Sequence, residues 1–132
     1  EHAALREAEE EVGLTSEHVE VLGQLPSYIT GTSFHITPVV ALVSPDHTLQ
    51  PNAYEVEFAF EVPLSFLMDP SNHRLHQWEN NGVQRQWYSM PYRPAATNLT
   101  VASNSETEYF IWGATAGMIR NFYRFLLASN SL

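Results

Sequence analysis

The chain has 132 residues, of which 44% are hydrophobic and 16% are charged, and this balance is typical of one globular domain rather than a disordered or fibrous protein. The formal net charge of −9 argues against binding to nucleic-acid backbones, and it implies that an anionic substrate would need positive charge from a divalent metal ion. All six basic residues are arginine and cysteine is absent, which excludes Schiff-base lysines, thiol catalysis and zinc–thiolate sites.

The first predicted element is a helix over residues 2–12. Strong helix formers fill it, and its apolar residues recur at the spacing of one helix face. Gly13 follows where a left-handed C-terminal cap is expected. Two strands, "VEVLGQLPSYIT" and "SFHITPVVALVS", come next with Gly31 in a short turn between them. The second is apolar enough to predict a buried strand.

The rest of the chain predicts further strands and a closing helix. "SPDHTLQPNAYE" is a loop by its prolines and polar residues, and "VEFAFEVPL" alternates as a strand that ends at Pro63. "HRLHQWENNGVQRQWYSM" indicates two strands joined by a tight turn at Asn81-Gly82, and a long polar loop follows over residues 93–108. "IWGATAGMIRNFYRFLLA" indicates a helix with an apolar stripe made of Met118, Ile119, Phe122, Phe125 and Leu126.

This order of elements predicts a single mixed α+β domain over residues 1–132, in which helices cover a sheet. No apolar run approaches the roughly 20 residues that span a bilayer, and no signal peptide is recognisable. We therefore expect a cytoplasmic protein with neither a membrane nor a nucleic acid as its partner.

The first helix collects negative charge towards its C-terminal end. Glu7, Glu10 and Glu11 stand at positions i, i+3 and i+4 and share a face, so three carboxylates are expected to converge. Like charges at this spacing cost about 0.2–0.5 kcal/mol per pair, and anions in the last turn cost about 0.3–1 kcal/mol against the helix dipole. A divalent cation would offset both penalties, and Mg²⁺ suits a few carboxylates because it keeps waters and substrate phosphates as its other ligands. The alternative is a solvated surface helix that tolerates both the like-charge repulsion and the unfavourable interaction with the helix dipole.

The stretch "REAEEEVGL", residues 6–14, resembles the second half of the Nudix box. Its Arg-Glu pair, its Glu-Glu pair and its glycine stand at the spacing of that motif. The resemblance implies the Nudix fold, an α/β/α sandwich with a mixed sheet between helices, and hydrolysis of a nucleoside diphosphate derivative with Mg²⁺ or Mn²⁺. It implies that Glu10 and Glu11 bind the metal. Glu7 would be a further ligand or the group that orients or deprotonates the attacking water, and Arg6 would pair with a carboxylate and hold the helix geometry.

The family's motif begins earlier than this chain does. A glycine and a further glutamate precede the Arg-Glu pair of the motif, on a loop that follows the first strands of the fold. We therefore expect the front half of the motif and those strands to be missing from residues 1–132. Without them the sheet would be incomplete, and a Nudix-fold binding domain without catalysis becomes the alternative to an enzyme.

Two later stretches, "NAYEVEFAFEVPLSFLMDPSNHR" and "YFIWGATAGMI", resemble the coenzyme A pyrophosphatase branch of the family. This resemblance implies hydrolysis of the pyrophosphate bond in coenzyme A or an acyl-CoA, which gives a phosphopantetheine product and adenosine 3′,5′-bisphosphate. ADP-ribose, a dinucleotide or a nucleoside triphosphate is the alternative substrate. A homodimer stays open.

Glu55 matches the glutamate of the Asn-x-x-Glu-Val segment in this branch. At the boundary between a loop and a strand, it would serve as an additional metal ligand or as the catalytic base. A solvated loop carboxylate is the equally weighted alternative.

Aromatic residues and histidines of the hairpin are further candidates. Trp78, Trp87 and Tyr92 would stack on adenine or, as the alternative, pair across strands and fill the core. His73 and His76 are three residues apart and face opposite sides of a strand, so we expect no histidine metal site.

Overall fold

The computed structural model describes residues 1–54, 56, 59–94 and 108–130. The chain falls into two compact units, Glu1–Glu61 and Val62–Leu132, and both contain helices and antiparallel strands. A single domain over residues 1–132 stays a prediction. Within the described ranges, no helix combines the length and the apolar character needed to cross a membrane.

The first unit begins with the predicted helix. α1 spans His2–Val12, and Gly13 closes it in the left-handed conformation, with φ 72° and ψ 18°. The Gly13 amide donates to the Glu9 carbonyl at 3.0 Å, and the Leu14 amide donates to the Ala8 carbonyl at 3.3 Å. The predicted cap is confirmed.

Both predicted strands of the first unit form, and each is divided at its proline. A short 3₁₀ helix, Ser16–His18, leads into them. Proline has no amide to donate, so the ladder is interrupted at Pro26 and Pro38, where the Leu25 amide donates to the Pro38 carbonyl at 2.9 Å. The outer segments pair with each other, and so do the inner ones. The strands are β1 (Val19–Gln24), β2 (Tyr28–Ile29), β3 (His35–Ile36) and β4 (Val39–Val43).

β4 is less buried than its apolar sequence predicts. Leu42 is 57% exposed and Val43 is 42% exposed. The prediction of a buried strand was wrong, because β4 pairs with β1 in a sheet of two strands, which has little covering on its faces.

The strand predicted in "VEFAFEVPL" does not form in residues 56 and 59–63, while residues 57 and 58 lie outside the described part. Instead, Pro63 adopts a φ of −57°, which suits the start of a helix, and α2 (Leu64–Leu67) begins directly after it. A second 3₁₀ helix, Pro70–Asn72, follows. Asp69 caps it, since its carboxylate accepts hydrogen bonds from the Ser71 amide at 3.0 Å and the Ser71 hydroxyl at 2.7 Å.

The second unit contains an antiparallel sheet in the order β5-β6-β7. Its strands are β5 (Arg74–Asn80), β6 (Val83–Tyr92) and β7 (Tyr109–Trp112). Asn81 and Gly82, with φ of 51° and 78°, form the predicted tight turn. The prediction that the closing helix includes residues 111 and 112 was wrong, because both pair with β6. Gly113, with φ of 65°, then turns the chain from strand to helix.

The closing helix covers one side of this sheet. α3 (Gly113–Asn130) packs against β6 and β7, and it buries Ala116 and Gly117. Met90 of β6 is fully buried beside Tyr92, which is 5% exposed. Small residues on the helix let its backbone lie close to the strands. One member of the predicted apolar stripe, Phe125, is 53% exposed, whereas Leu126 at its end is half-buried.

Candidate metal site on the first helix

The predicted metal ligands lie along an exposed helix. Glu7, Glu10 and Glu11 occupy their predicted positions in α1, which has no buried residue. The side chains of Glu7 and Glu10 are 51% and 55% exposed. Carboxylate oxygens are the donors that Mg²⁺ and Mn²⁺ prefer, and this openness leaves room for the waters that Mg²⁺ retains. The donor set therefore fits a hydrated divalent cation.

Arg6 lies close to two of these carboxylates. Its Nη2 is 3.7 Å from Glu7 Oε1, and its Nε is 4.0 Å from Glu10 Oε1. All three side chains are more than half exposed, so these ion pairs contribute little to the free energy of unfolding. Their effect is positional, because one guanidinium attracts both carboxylates.

The three carboxylates do not form a ready-made cluster. Among the described residues, no three histidine, aspartate or glutamate side chains lie close enough together to hold one metal ion. The expected convergence of all three carboxylates is therefore absent from these side-chain positions. Metal binding by Glu7, Glu10 and Glu11 stays a prediction, in which the cation competes with Arg6 for two of its ligands.

The end of α1 is held by hydrogen bonds from the loop after β4. The Gln50 amide donates to the Val12 carbonyl at 2.7 Å, and the Asn52 amide donates to the Glu11 carbonyl at 2.7 Å. The last carbonyls of a helix otherwise lack partners and carry the negative end of its dipole. These two donors therefore reduce the electrostatic penalty that the helix dipole places on the neighbouring carboxylates. From the sequence alone, only a bound cation was expected to offset that penalty.

Gly13 is required for two separate reasons. Its φ of 72° is strained for any residue with a Cβ atom. In addition, a Cβ atom at this position would lie 3.1 Å from Cβ and 3.3 Å from N of Gln50. Local sequence predicted the first reason. The second comes from a contact between residues far apart in the chain, for which local sequence carries no signal.

Asn52 organises the turn that follows. Its Oδ1 accepts a hydrogen bond from the Tyr54 amide at 3.0 Å, and its carbonyl accepts one from the Val56 amide at 2.7 Å. Together with the bond to Glu11, these contacts attach the start of the Asn-x-x-Glu-Val segment to the acidic helix. Sequence reasoning assigned no role to Asn52, although asparagine commonly accepts from an amide two residues later. Glu55 lies outside the described residues, and its role stays a prediction.

Another polar group lies beside the start of β1. Hydrogen bonds from the Ser44 hydroxyl and from its own backbone amide lower the pKa of Asp46, and the charges of His18 and His47 add to this effect. Glu17 and His18 line an adjacent groove of about 260 Å³. In the described part of the chain, none of the predicted metal or catalytic residues lines this groove.

In the second unit, His76 lies within β5, whereas His73 precedes the strand, so the prediction that both face opposite sides of one strand was wrong. Nε2 of His73 donates to the Leu67 carbonyl at 2.6 Å, while its Nδ1 accepts from Nη1 of Arg120 at 3.1 Å. His76 instead stacks on Trp87, with 4.0 Å between the ring centroids. The two imidazoles therefore have separate structural partners and do not share a site.

The candidates for adenine stacking differ in accessibility. Trp78 is 53% exposed and Trp87 is 36% exposed. Tyr92 is 5% exposed, and its ring packs edge-on against Phe66 at a centroid distance of 4.9 Å. Tyr92 is a core residue, as the alternative interpretation of the aromatics predicted.

Known proteins resemble this chain over most of its length. The chain is 36% identical over 119 residues to "Uncharacterized Nudix hydrolase NudL" of Escherichia coli O1:K1 / APEC. It is 37% identical over 118 residues to the protein of the same name from Enterobacter sp. (strain 638). Both alignments cover 89% of this chain and 54% of the relative, so the chain spans about half the length of the curated relatives it matches. The family model of the NUDIX domain matches residues 1–95, which include the acidic helix and the loop docked on it, and the chain therefore belongs to the Nudix family.

Proposed function

We propose that this chain carries the metal-dependent site of a pyrophosphatase that hydrolyses coenzyme A or an acyl-CoA to a phosphopantetheine product and adenosine 3′,5′-bisphosphate. The observation that carries the proposal is the attachment of the Asn52 turn to the end of the acidic helix. Residues 6–14 and the Asn-x-x-Glu-Val segment carry separate signals in the sequence. Backbone hydrogen bonds join α1 to the start of that segment, within the first compact unit.

The residue roles follow from donor chemistry and exposure. Glu10 and Glu11 would hold Mg²⁺ or Mn²⁺, and Arg6 would keep the carboxylates of Glu7 and Glu10 on one side of the helix. When bound, such a cation neutralises charge on the non-bridging phosphate oxygens and makes a bound water more acidic. This supplies the positive charge that a chain with a net charge of −9 lacks for an anionic substrate.

Proton transfer needs a carboxylate close to the attacking water. Glu7 stands one turn before Glu10 and Glu11 on the same helix, so it would accept a proton from that water or serve as a third ligand. Glu55 is the alternative base. In either arrangement the water oxygen attacks one phosphorus, the bond from that phosphorus to the bridging oxygen breaks, and the proton passes to the carboxylate.

Coenzyme A is the preferred substrate because of the two later segments, which are similar to the coenzyme A branch. ADP-ribose, a dinucleotide and a nucleoside triphosphate contain the same kind of bond and are the competing substrates. The names of the relatives specify a Nudix hydrolase and no substrate.

The proposal is tested by incubating the chain with coenzyme A and Mg²⁺, before and after addition of EDTA. We expect release of adenosine 3′,5′-bisphosphate that stops when the metal is removed. Glu11→Gln should lower the rate at least about 100-fold, since residues that only support metal ligands already contribute up to that factor. Glu9→Gln is the matched control, because Glu9 is an exposed glutamate of the same helix outside the predicted set.

Four results would contradict all or part of this proposal. Absence of metal-dependent product would favour a binding domain without catalysis, and so would ligand affinity that is the same with and without Mg²⁺. Equal losses in Glu9→Gln and Glu11→Gln would show a general effect of helix charge. A strong preference for ADP-ribose in a substrate panel would replace coenzyme A while leaving the chemistry in place.

A further inference from the structure

One side of the three-stranded sheet carries all three tryptophans of the protein. Residues directly opposite each other on antiparallel strands project to the same side, and alternate residues of one strand share that side. The cross-strand register therefore defines a continuous surface, which we call the tryptophan face. It comprises Arg74, His76, Trp78, Arg85, Trp87, Ser89, Phe110 and Trp112.

The opposite side of the sheet is occupied by α3. Tyr88, next to Trp87 in β6, points to that side, and the guanidinium of Arg120 lies 5.3 Å from its ring centroid. Met90, on the same side, is fully buried. The tryptophan face is therefore the side of the sheet away from α3, backed by the core of its own unit.

Three rings of the tryptophan face contact one another, and the face remains accessible. His76 stacks on Trp87 at 4.0 Å, and Trp87 meets Trp112 edge-on with 6.1 Å between centroids. Nε2 of His76 is 2.7 Å from the hydroxyl oxygen of Ser89, which is fully buried. Trp78 is nevertheless 53% exposed and Trp112 is 61% exposed. These two rings offer flat apolar surface to a ligand, and the ring of Trp112 is supported by Trp87.

The charge of this face is opposite to that of the whole chain. Arg74 and Arg85 are exposed, and in the described ranges neither has a carboxylate partner. Glu108, at the edge of the face, is already paired with Arg93 at 2.8 Å. A chain with a net charge of −9 thus presents two uncompensated positive charges among its tryptophans.

We propose that the tryptophan face binds a purine nucleotide, with the base stacked on Trp78 and a phosphate paired with Arg85. These two residues are direct cross-strand partners, so the ring and the charge are neighbours. Trp112 and Arg74 flank Ser89 in the register and provide the second ring and the second charge. Adenosine 3′,5′-bisphosphate is the probe because it is the purine nucleotide released in the proposed reaction, and this choice rests on the proposed function, whereas the stacking chemistry does not.

A nucleotide would use both the flat exposed rings and the two positive charges of this face. Each competing partner would use only one of these two features. A second copy of the chain would cover the apolar rings but would bring its own net charge of −9 and no specific need for flat rings. A single-stranded nucleic acid would stack on the rings, but its repeated phosphates would meet an acidic molecule beyond the two arginines.

The test is the affinity of the chain for adenosine 3′,5′-bisphosphate, measured by calorimetry in the presence of EDTA so that no metal contributes. Trp78→Ala should weaken binding about 10-fold, the loss typical of one base–aromatic stack, and Trp78→Phe should restore most of it. Arg85→Gln should weaken binding about 3-fold, because the arginine is exposed, and the effect should diminish at high salt.

The controls come from α3 of the same unit. Phe125→Ala removes an exposed aromatic ring and Arg124→Gln removes an exposed arginine, both outside the tryptophan face, and both should bind normally. Circular dichroism should show that every variant keeps its secondary structure.

Unchanged affinity in Trp78→Ala and Arg85→Gln would overturn the proposal. So would affinity for oligoadenylates that rises with their length, or a dimer that Trp112→Ala dissociates. Failure of this proposal and failure of the enzymatic one are distinguishable. Nucleotide affinity that Trp78→Ala and Arg85→Gln leave unchanged rejects the tryptophan face whatever the turnover, whereas nucleotide binding without metal-dependent turnover of coenzyme A rejects the pyrophosphatase.

Discussion

Residues 1–61 and residues 62–132 differ in how they hold their candidate binding groups. In the first unit the carboxylates lie on an exposed helix, and Leu25 is the one buried hydrophobic side chain among the described residues. In the second unit the aromatic rings lie on a sheet backed by Met90, Tyr92 and Ala116. Carboxylates for a hydrated cation need no burial, whereas a stacking surface needs a rigid support. The two units therefore rely on different stabilising interactions, hydrogen-bonded loops in one and a packed core in the other.

The largest expected effect is on the core of the second unit. Met90→Ala should lower its free energy of unfolding by about 2–5 kcal/mol, because Met90 is fully buried and leaves a cavity. Leu25→Ala in the first unit should fall at the lower end of that range, since fewer buried neighbours surround it. All three tryptophans lie in the second unit, so their fluorescence during urea unfolding reports that unit. Equal losses for both variants would remove the contrast between the units.

Comparing alanine substitutions at two glycines separates the destabilisation caused by backbone strain from that caused by a clash with a loop. Gly13→Ala should destabilise the first unit by about 1–3 kcal/mol from its positive φ alone, with an added loss from the clash with Gln50. Gly82 also has a positive φ, 78°, but no atom lies within 4 Å of a Cβ atom added there. Gly82→Ala should therefore lose stability from backbone strain alone, without a clash. Thermal unfolding followed by circular dichroism measures both. A larger loss for Gly82→Ala would mean that the Gln50 contact adjusts without cost.

Asn52→Ala should lower the free energy of unfolding of the first unit by about 1 kcal/mol. The Tyr54 amide loses its acceptor, while the backbone hydrogen bond to Glu11 is retained. Asn52→Asp, which keeps an oxygen at that place, should lose less. Mn²⁺ affinity measured by electron paramagnetic resonance gives a second readout. If Asn52→Ala lowers stability but leaves Mn²⁺ affinity unchanged, the turn supports the fold without influencing the metal site.

The smallest effect concerns pH. Hydrogen bonds from the Ser71 hydroxyl and amide, with a smaller contribution from the charge of His73, lower the pKa of Asp69 below its ordinary value of 3.8. A carboxyl with a lowered pKa adds stability above its ordinary value, and this contribution disappears as the pH falls through the lowered value. Ser71→Ala should therefore reduce the stability lost between neutral and acid pH, as followed by urea unfolding. Ser129→Ala is the control, because its hydroxyl donates to the Phe125 carbonyl and touches no titrating group.

The parts of the fold that were predictable depend on nearby residues. Asn81-Gly82 specifies its turn by the positive φ of both residues, and Gly13 specifies the end of α1 in the same way. Strand β7 was missed because Ile111 and Trp112 were interpreted as the start of the closing helix, and its pairing with β6 joins residues distant in the chain. The exposure of β4 was missed because apolar sequence reports a preference for burial and not the presence of a covering layer.

The candidate site was predictable in its chemistry and less so in its geometry. The spacing of Glu7, Glu10 and Glu11 identified the helix and its acidic face. The resemblance implied that Arg6 pairs with one carboxylate, and the structure places its guanidinium near two of them, which depends on side-chain rotamers that spacing does not specify. The spacing also did not predict the bonds from Gln50 and Asn52, which are made by backbone amides and are independent of side-chain identity.

The hydrogen bonds from Gln50 and Asn52 allow the opening of the helix end to be measured in the loop. The amides of Gln50 and Asn52 exchange their hydrogens with solvent only when they leave the carbonyls of Val12 and Glu11. Their exchange rates therefore count how often the last turn of α1 opens. Anything that binds the closed turn more tightly than the open one must slow both rates by the same thermodynamic coupling. Amide exchange at these two backbone positions can thus report ligand binding at the end of α1, without a label on the acidic residues themselves.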